Sequence, residues 1–297
     1  MQFPLYLLDS GDPDEFREIS GLAQKNNAVL WSATTNPTLI AKKLAGQKVS
    51  MEKAFQLQKE IVLEIINIVP GAVSAEVFAD TNTTAQEMIA QGKEIATWHK
   101  RVIVKLPTTI EGFKARTALR KENIQINNTL VFSQEQIFAI CLHEKIMSSE
   151  ARSGRPCFIS PFVGRLDDIG IDGMQLVEHG MKIKSLVGID IWMLAASIRR
   201  VEHMQRSVDY GSELITAPAK VYREWFPHMN NELRIMNNEY AKDLKSIPYW
   251  KPSQELLDIQ TEEAFLEAIS SGKLNIHHDL TDKGITHFAQ DWQTIIA

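Results

Sequence analysis

The sequence predicts an α/β protein, a single (β/α)8 TIM barrel with extra C-terminal helices. Three observations carry this. Eight short apolar runs alternate with longer amphipathic segments up to about residue 225, which is the signature of repeated βα units. The chain of 297 residues leaves room for the roughly 250 that such a barrel takes. The competing doubly wound open sheet lacks its usual phosphate cradle, because no GxGxxG follows the first strand and no GxxxxGK[ST] occurs.

The strands are expected at residues 4–9, 28–35, 72–79, 101–107, 125–132, 157–163, 190–197 and 213–218. Between them lie helical patterns such as SMEKAFQLQKEIVLEIINIV at 50–69, where Phe55, Ile61, Val62, Ile65, Ile66 and Val69 recur at three- and four-residue steps. Ser50 and Ser133 precede periodic stretches. Only Ser133, with Gln136 three residues on, resembles a capping box. Residues 1–225 therefore read as the barrel, and 226–297 as a helical extension packed on it within the same domain. Inside that extension, Pro227, Pro248 and Pro252 break the rhythm of 226–261, which reads as an ordered excursion or lid after the eighth strand. The polar stretch IMSSEARSGRP at 146–156 reads as a surface loop.

Composition narrows the function classes. Hydrophobic residues make up 44% of the chain, enough for a filled core, and 32 basic against 37 acidic residues leave a net charge of -5 without long like-charged runs. Neither nucleic acid nor a membrane is expected as a partner. Cys141 and Cys157 have no metal-ligand or disulfide spacing. The start MQFPLYLLDSGDPDE has no basic region, so a cytoplasmic protein is expected.

In a barrel of this kind chemistry sits at the carboxyl ends of strands. Polar residues interrupt apolar runs there: Asp9, Thr34, Thr35, Asn36, Glu76, Lys105, Asn127, Asn128, Thr129, Ser160, Arg165, Ser197 and Arg199. Lys105 is the sharpest, because Val102, Ile103, Val104 and Leu106 surround it. A lysine in a water-poor setting favours its neutral amine, which attacks ketones to form a Schiff base. The alternative is a structural ion pair with Glu76 or Asp9. Those two carboxylates, on different strands, could also converge on Lys105 as the general acid and base that such chemistry needs. Arg165 and Arg199 follow late strands, where barrels often bind phosphate. None of the eight histidines is assigned a role; His277 and His278 are expected at the surface.

These residues sit in recognisable motifs. The stretches LYLLDSGD (5–12), SATTNPTLI (32–40), SAEVFA (74–79), VIVKLPTTIEGFKA (102–115), INNTLVFS (126–133), ISPFVGRLDDIG (159–170) and LAASIR (194–199) occur in order. With them the chain resembles the transaldolase family, which includes short transaldolase-like enzymes and fructose-6-phosphate aldolase. The resemblance implies Lys105 as the Schiff-base lysine, Asp9 and Glu76 as acid/base carboxylates, and Thr129 as a holder of the catalytic water. It implies Asn36, Asn127 and Ser160 as substrate-binding residues and Arg165 with Arg199 as the phosphate pair. Aldolase members tend to carry Gln, Tyr and Lys where this chain has Glu76, Phe162 and Arg199, and all three choices side with transaldolase.

The expected activity is transfer of a dihydroxyacetone unit from fructose 6-phosphate or sedoheptulose 7-phosphate to an aldose phosphate, as in the pentose phosphate pathway. The resemblance implies no cofactor and no metal, sugar phosphates as ligands, and a homo-oligomer. A fructose-6-phosphate aldolase-type lyase, or a paralogue acting on a modified ketose phosphate, is the alternative.

Overall fold

The computed structural model describes residues 4–148, 156–229 and 241–297. Its strands are β1 (Leu5–Asp9), β2 (Leu30–Thr34), β3 (Val73–Glu76), β4 (Val102–Pro107), β5 (Ile126–Val131), β6 (Phe158–Pro161), β7 (Trp192–Ala195) and β8 (Leu214–Ala217). They pair in parallel in sequence order, and β8 closes on β1. The (β/α)8 barrel expected from the alternation is the fold observed. Each strand is shorter than its apolar run; β1 and β4 lose one residue at the amino end, and the other six also stop short at the carboxyl end, where the chain leaves the ladder to build loops.

Helices α1 (Pro13–Lys25), α2 (Pro37–Lys43), α3 (Met51–Ile68), α4 (Ala85–Trp98), α5 (Ile110–Lys121), α6 (Gln134–Ser148), α7 (Val163–Asp167), α8 (Gly173–Val187), α9 (Val201–Asp209) and α10 (Ala219–His228) connect and follow the strands. After them come α11 (Gln254–Leu257), α12 (Glu262–Ser270) and α13 (Asp279–Gln293). None of the described helices is long and apolar enough to cross a membrane. The capping box expected before α6 forms: Gln136 N donates to Ser133 Oγ at 3.1 Å and Ser133 N to Gln136 Oε1 at 3.2 Å. A second box, Thr84 with Glu87, starts α4.

The period of two along each strand divides the buried residues. One set of apolar side chains fills the space between sheet and helices. Leu5, Leu7, Ile103, Phe158, Leu194 and Leu214 form a separate cluster, contributed by alternate positions of five strands. Two residues further along those same strands stand Asp9, Lys105, Ser160 and Thr216. The barrel thus has an apolar floor and a polar layer above it.

The sequence reading of 226–261 as an ordered excursion or lid is met, over its described part, by an ordered excursion. Residues 230–240 lie outside the described residues, as do residues 149–155 of the 146–156 loop. The described part that follows packs on the barrel's flank: Lys245 pairs with Ile171, Ile247 N donates to Gln175 Oε1 at 2.6 Å, and Trp250 packs edge-on against Phe138. These contacts fall on α6 and on α8 with its leading turn. It is α13 that lies against the carboxyl ends, where Thr281 Oγ1 donates to Leu130 O at 2.9 Å and Thr38 Oγ1 to Asp291 Oδ2 at 2.5 Å.

Strand β5 is held from outside by a buried polar network. Arg116 is fully buried; its Nε donates to Asn128 Oδ1 at 3.0 Å, and its terminal nitrogens reach His143 Nδ1 and Glu144. Burial, with the charge of Arg116 next in weight, holds His143 well below the usual histidine range, so the ring is neutral and accepts from Arg116. Replacing Arg116 by Ala leaves Asn128 unpartnered and Glu144 with Arg120 alone. We expect a loss of about 3–5 kcal/mol and a melting midpoint lower by roughly 6–12 °C; a shift of less than about 2 °C in a thermal melt would show that the network contributes little.

Candidate active site

The polar layer is assembled by register. Glu76 on β3 pairs across the ladder with Lys105 on β4, and Lys105 with Asn127 on β5. Residues side by side in a ladder at the same inward-facing parity must meet inside the barrel. Lys105 Nζ lies 2.9 Å from Glu76 Oε2, with both side chains 4% exposed. Its ammonium also donates to Thr35 O at 3.1 Å. Gln58 of α3 anchors the Glu76 carbonyl at 3.0 Å.

Asp9 accepts from Thr34 Oγ1 at 2.7 Å, and Thr34 contacts Thr216 Oγ1 at 2.6 Å. On the other side of Lys105, Ser160 Oγ donates to Asn127 Oδ1 at 2.6 Å and Asn127 Nδ2 to Ser74 Oγ at 3.1 Å. Asn127 is thereby fixed in one amide orientation. Thr129 is fully buried and its hydroxyl has no protein partner among the described residues. Asn36 caps α2, accepting from Leu39 N at 3.0 Å.

Burial is the largest influence on both carboxyls and raises Asp9 and Glu76 above the ordinary carboxylate range, against the opposing pull of Lys105. Each also feels Arg165, and Glu76 is pushed further up by Asp9. Both carboxyls therefore hold their protons more firmly than exposed carboxyls do. Burial that shifts a carboxyl in this way is a feature of candidate acid/base sites.

Above the polar layer opens a cavity of about 300 Å³ lined by Asp9, Asn36, Lys105, Ser160, Phe162, Arg165 and Arg199 among others. Of the residues selected from the sequence, Thr35, Glu76, Asn127, Asn128 and Thr129 do not line it, and all five are buried. Arg165 stands on α7, where its guanidinium carbon is 5.4 Å from the centre of the Phe162 ring. Burial lowers its basicity, and the nearby Arg199 lowers it further. Arg199 is half out in solvent and paired to Asp168 at 3.1 Å. Two features bring these arginines together. Ser197 holds φ 57, an uncommon conformation for a residue with a side chain. At Gly164 a Cβ would come within 2.2 Å of Ser197 O and 2.4 Å of Arg199 Cγ, so only glycine lets α7 pass so near.

Sequence reasoning missed several neighbours. Lys220, His287 and Phe288 line the same cavity. His203, fully buried, accepts from Arg199 N at 3.3 Å through Nδ1 and meets Asp167 Oδ2 at 2.8 Å through Nε2, fixing the backbone that carries Arg199. His278 also departs from the surface position expected of it. Half-buried, it stacks on Phe132 with ring centroids 5.4 Å apart and accepts from Leu280 N at 3.1 Å as the cap of α13. Lys220 directly follows β8 and could have been found by the rule that led to the arginines; His287 and Phe288 carry no local signal.

A closed parallel barrel with a buried lysine–carboxylate centre beneath an arginine-lined cavity defines the class: an enzyme-like barrel whose site opens at the carboxyl ends of its strands. Comparison with known proteins gives the family. The transaldolase/fructose-6-phosphate aldolase family model matches residues 6–297, and the chain belongs to that family. Among similar curated proteins, a "Probable transaldolase" of Brevibacillus brevis is 40% identical over 223 residues, spanning 75% of this chain and 90% of its own length. Another, from Heliobacterium modesticaldum, is 35% identical and spans 82% of this chain and 98% of its own length.

A raised carboxyl is a destabilising one when ionised. Asp9 keeps its proton to higher pH in the folded chain than in the unfolded one, so stability falls as pH rises from the ordinary carboxylate range to the raised folded pKa and stays lower above it. Asp9→Asn keeps an acceptor for Thr34 and removes the charge. We expect the melting midpoint at pH 7 to rise by about 1–3 °C, with the gain shrinking as pH drops into the ordinary carboxylate range. A midpoint that falls at pH 7 would mean that the attraction of Lys105 outweighs burial.

Proposed function

We propose that this chain is a transaldolase that moves a dihydroxyacetone unit from a ketose phosphate, fructose 6-phosphate or sedoheptulose 7-phosphate, to an aldose phosphate. The observation that carries this reading is the Lys105–Glu76 pair at 2.9 Å, sharing one polar centre with Asp9 beneath a cavity that ends at Arg165 and Arg199. A nucleophile at one end and paired guanidinium groups at the other suit a ketose with a terminal phosphate.

The chemistry follows from the inventory. Lys105 gives its proton to a carboxylate, and the neutral amine adds to the ketose carbonyl. A carboxyl protonates the departing hydroxyl, which leaves as water, and the iminium remains. A carboxylate then takes the proton of the hydroxyl on the carbon beyond the bond to be cleaved. That carbon–carbon bond breaks, its electron pair neutralises the iminium as an enamine, and an aldose phosphate departs. An incoming aldose phosphate accepts the enamine carbon at its aldehyde, and its new alkoxide takes back a proton. Water, with Thr129 as one candidate to hold it, hydrolyses the new iminium and frees Lys105. Every proton moves among Lys105, Asp9, Glu76, water and substrate hydroxyls. Asn36, Asn127 and Ser160 are the proposed hydroxyl partners. No metal or other cofactor enters the sequence of steps.

Phe162 lines the cavity and has no hydroxyl. Protonation of the enamine, which would release free dihydroxyacetone, therefore lacks a proton relay at this position, and the intermediate is left for the acceptor aldehyde.

Borohydride reduction in the presence of fructose 6-phosphate should add a stable mass to the peptide that contains Lys105. Labelling of Lys114 or Lys121 instead, or of no lysine with any ketose tried, would overturn the Schiff-base assignment. The balance between transfer and cleavage is read from glyceraldehyde 3-phosphate release with and without erythrose 4-phosphate. Wild type should depend on the acceptor, and Phe162→Tyr should raise the cleavage-to-transfer ratio by about a hundredfold, the effect of one general acid at the low end of its usual range. Equal rates with and without acceptor in the wild-type chain would make it a lyase.

A further inference from the structure

Arg165 is charged at a cost that the more distant carboxylates of Glu76, Asp168 and Asp9 offset only in part. Its guanidinium is withdrawn from water and stands near a second arginine, and both effects work against its charge. Among the described residues no carboxylate forms an ion pair with it. Its recorded contacts are aromatic: the guanidinium carbon lies 5.4 Å from the centre of the Phe162 ring and 5.2 Å from that of Phe288. The negative faces of two rings stabilise a cation without competing for its N–H donors. A carboxylate would have neutralised Arg165 and occupied the donors that an anionic substrate needs.

Phe162 and Phe288 come from distant parts of the chain. Phe162 immediately precedes α7, while Phe288 belongs to α13, more than a hundred residues after Arg165. Helix α13 is pinned at both ends. At its start, Gln136 Nε2 donates to Thr281 Oγ1 at 2.9 Å and Thr281 donates to Leu130 O at 2.9 Å. At its finish, Asp291 accepts from Thr38, and Val49 N donates to Ile295 O at 2.9 Å. Between the pins, Gly284 and Phe288 are four residues apart and share a helix face. A Cβ at Gly284 would fall 2.8 Å from Arg165 Nη1 and 2.6 Å from Leu130 Cδ2.

We propose that α13 is a working wall of the anion end of the site, with Phe288 as a positioning residue that holds the Arg165 guanidinium where a phosphate monoester can engage it. Gly284 makes this possible by letting the helix approach without displacing the arginine. The inference rests on the phosphate-binding role proposed for Arg165. It adds that the affinity for the charged end of the substrate is set partly from the C-terminal helix.

The test uses the full chain, with Phe288→Leu, Gly284→Ala and Phe288→Tyr. Gly284→Ala guards against misfolding, because the atoms its methyl would meet are the ends of two side chains that can move aside. Two readouts are taken after melting curves establish that each variant is folded: KM and kcat with fructose 6-phosphate against unphosphorylated fructose, and the Kd for inorganic phosphate by calorimetry. Phe288→Leu and Gly284→Ala should raise KM for fructose 6-phosphate and the phosphate Kd by about three- to thirtyfold, the range of a partly desolvated cation–π contact. The change with fructose should be smaller, kcat should move less than KM, and Phe288→Tyr should stay near wild type. Equal losses on both sugars, an unchanged phosphate Kd, or no phosphate binding by the wild-type chain would each overturn the inference. Phosphate binding that weakens in the variants, in a chain that does not turn over fructose 6-phosphate, would sustain the inference and overturn the proposed substrate.

Discussion

A lysine and a glutamate meeting at 2.9 Å in the interior of a closed barrel is the arrangement on which the rest of this structure turns. Removing two such charges from water is costly, and their mutual attraction offsets that cost only when the surrounding polar groups are also satisfied. The neighbouring strands are organised accordingly. Thr35 supplies a carbonyl to the ammonium, Gln58 holds the Glu76 backbone, and the Ser74–Asn127–Ser160 chain occupies the next positions around the barrel. Asp9 adds a second carboxyl that burial raises. The result is a buried centre of one amine and two carboxyls, resting on an apolar floor.

The supports of the site form shells of different character. The inner polar layer lies on strands, where register fixes each side chain to within the tolerance of the ladder. The arginine end lies on turns and short helices, and it relies on a residue with positive φ at Ser197, a close approach at Gly164 and the His203–Asp167 pair behind Arg199. Strands make the reacting end rigid, while loops leave the binding end open to variation between relatives. Helix α13 then ties the two together by bridging β5 and α2 across the carboxyl ends.

Much of this was legible in the amino-acid order. Eight apolar runs separated by amphipathic segments specify a barrel because parallel strands buried on both faces must be apolar and need helical crossovers. Lys105, Glu76 and Asp9 were visible because a charged residue inside or at the end of such a run has nowhere to go except the barrel's inner, carboxyl-end layer. Arg165 and Arg199 were visible from their place after late strands. All of these signals are local: a residue type set against the pattern of its immediate neighbours.

What local pattern could not supply was distance across the chain. Phe288 and His287 sit on an amphipathic helix whose sequence is equally suited to the barrel's flank or its mouth, and the 226–261 stretch read as well as a lid as it did as an ordered excursion. His203 looks like any helical histidine until Arg199 and Asp167 are placed on either side of it. The sequence determined the barrel and its charged centre, because the twofold period of a strand dictates which side chains point inward. Which helix closes over that centre, and that Phe288 packs on Arg165, depended on packing between segments more than a hundred residues apart, where complementary shape rather than periodicity makes the choice.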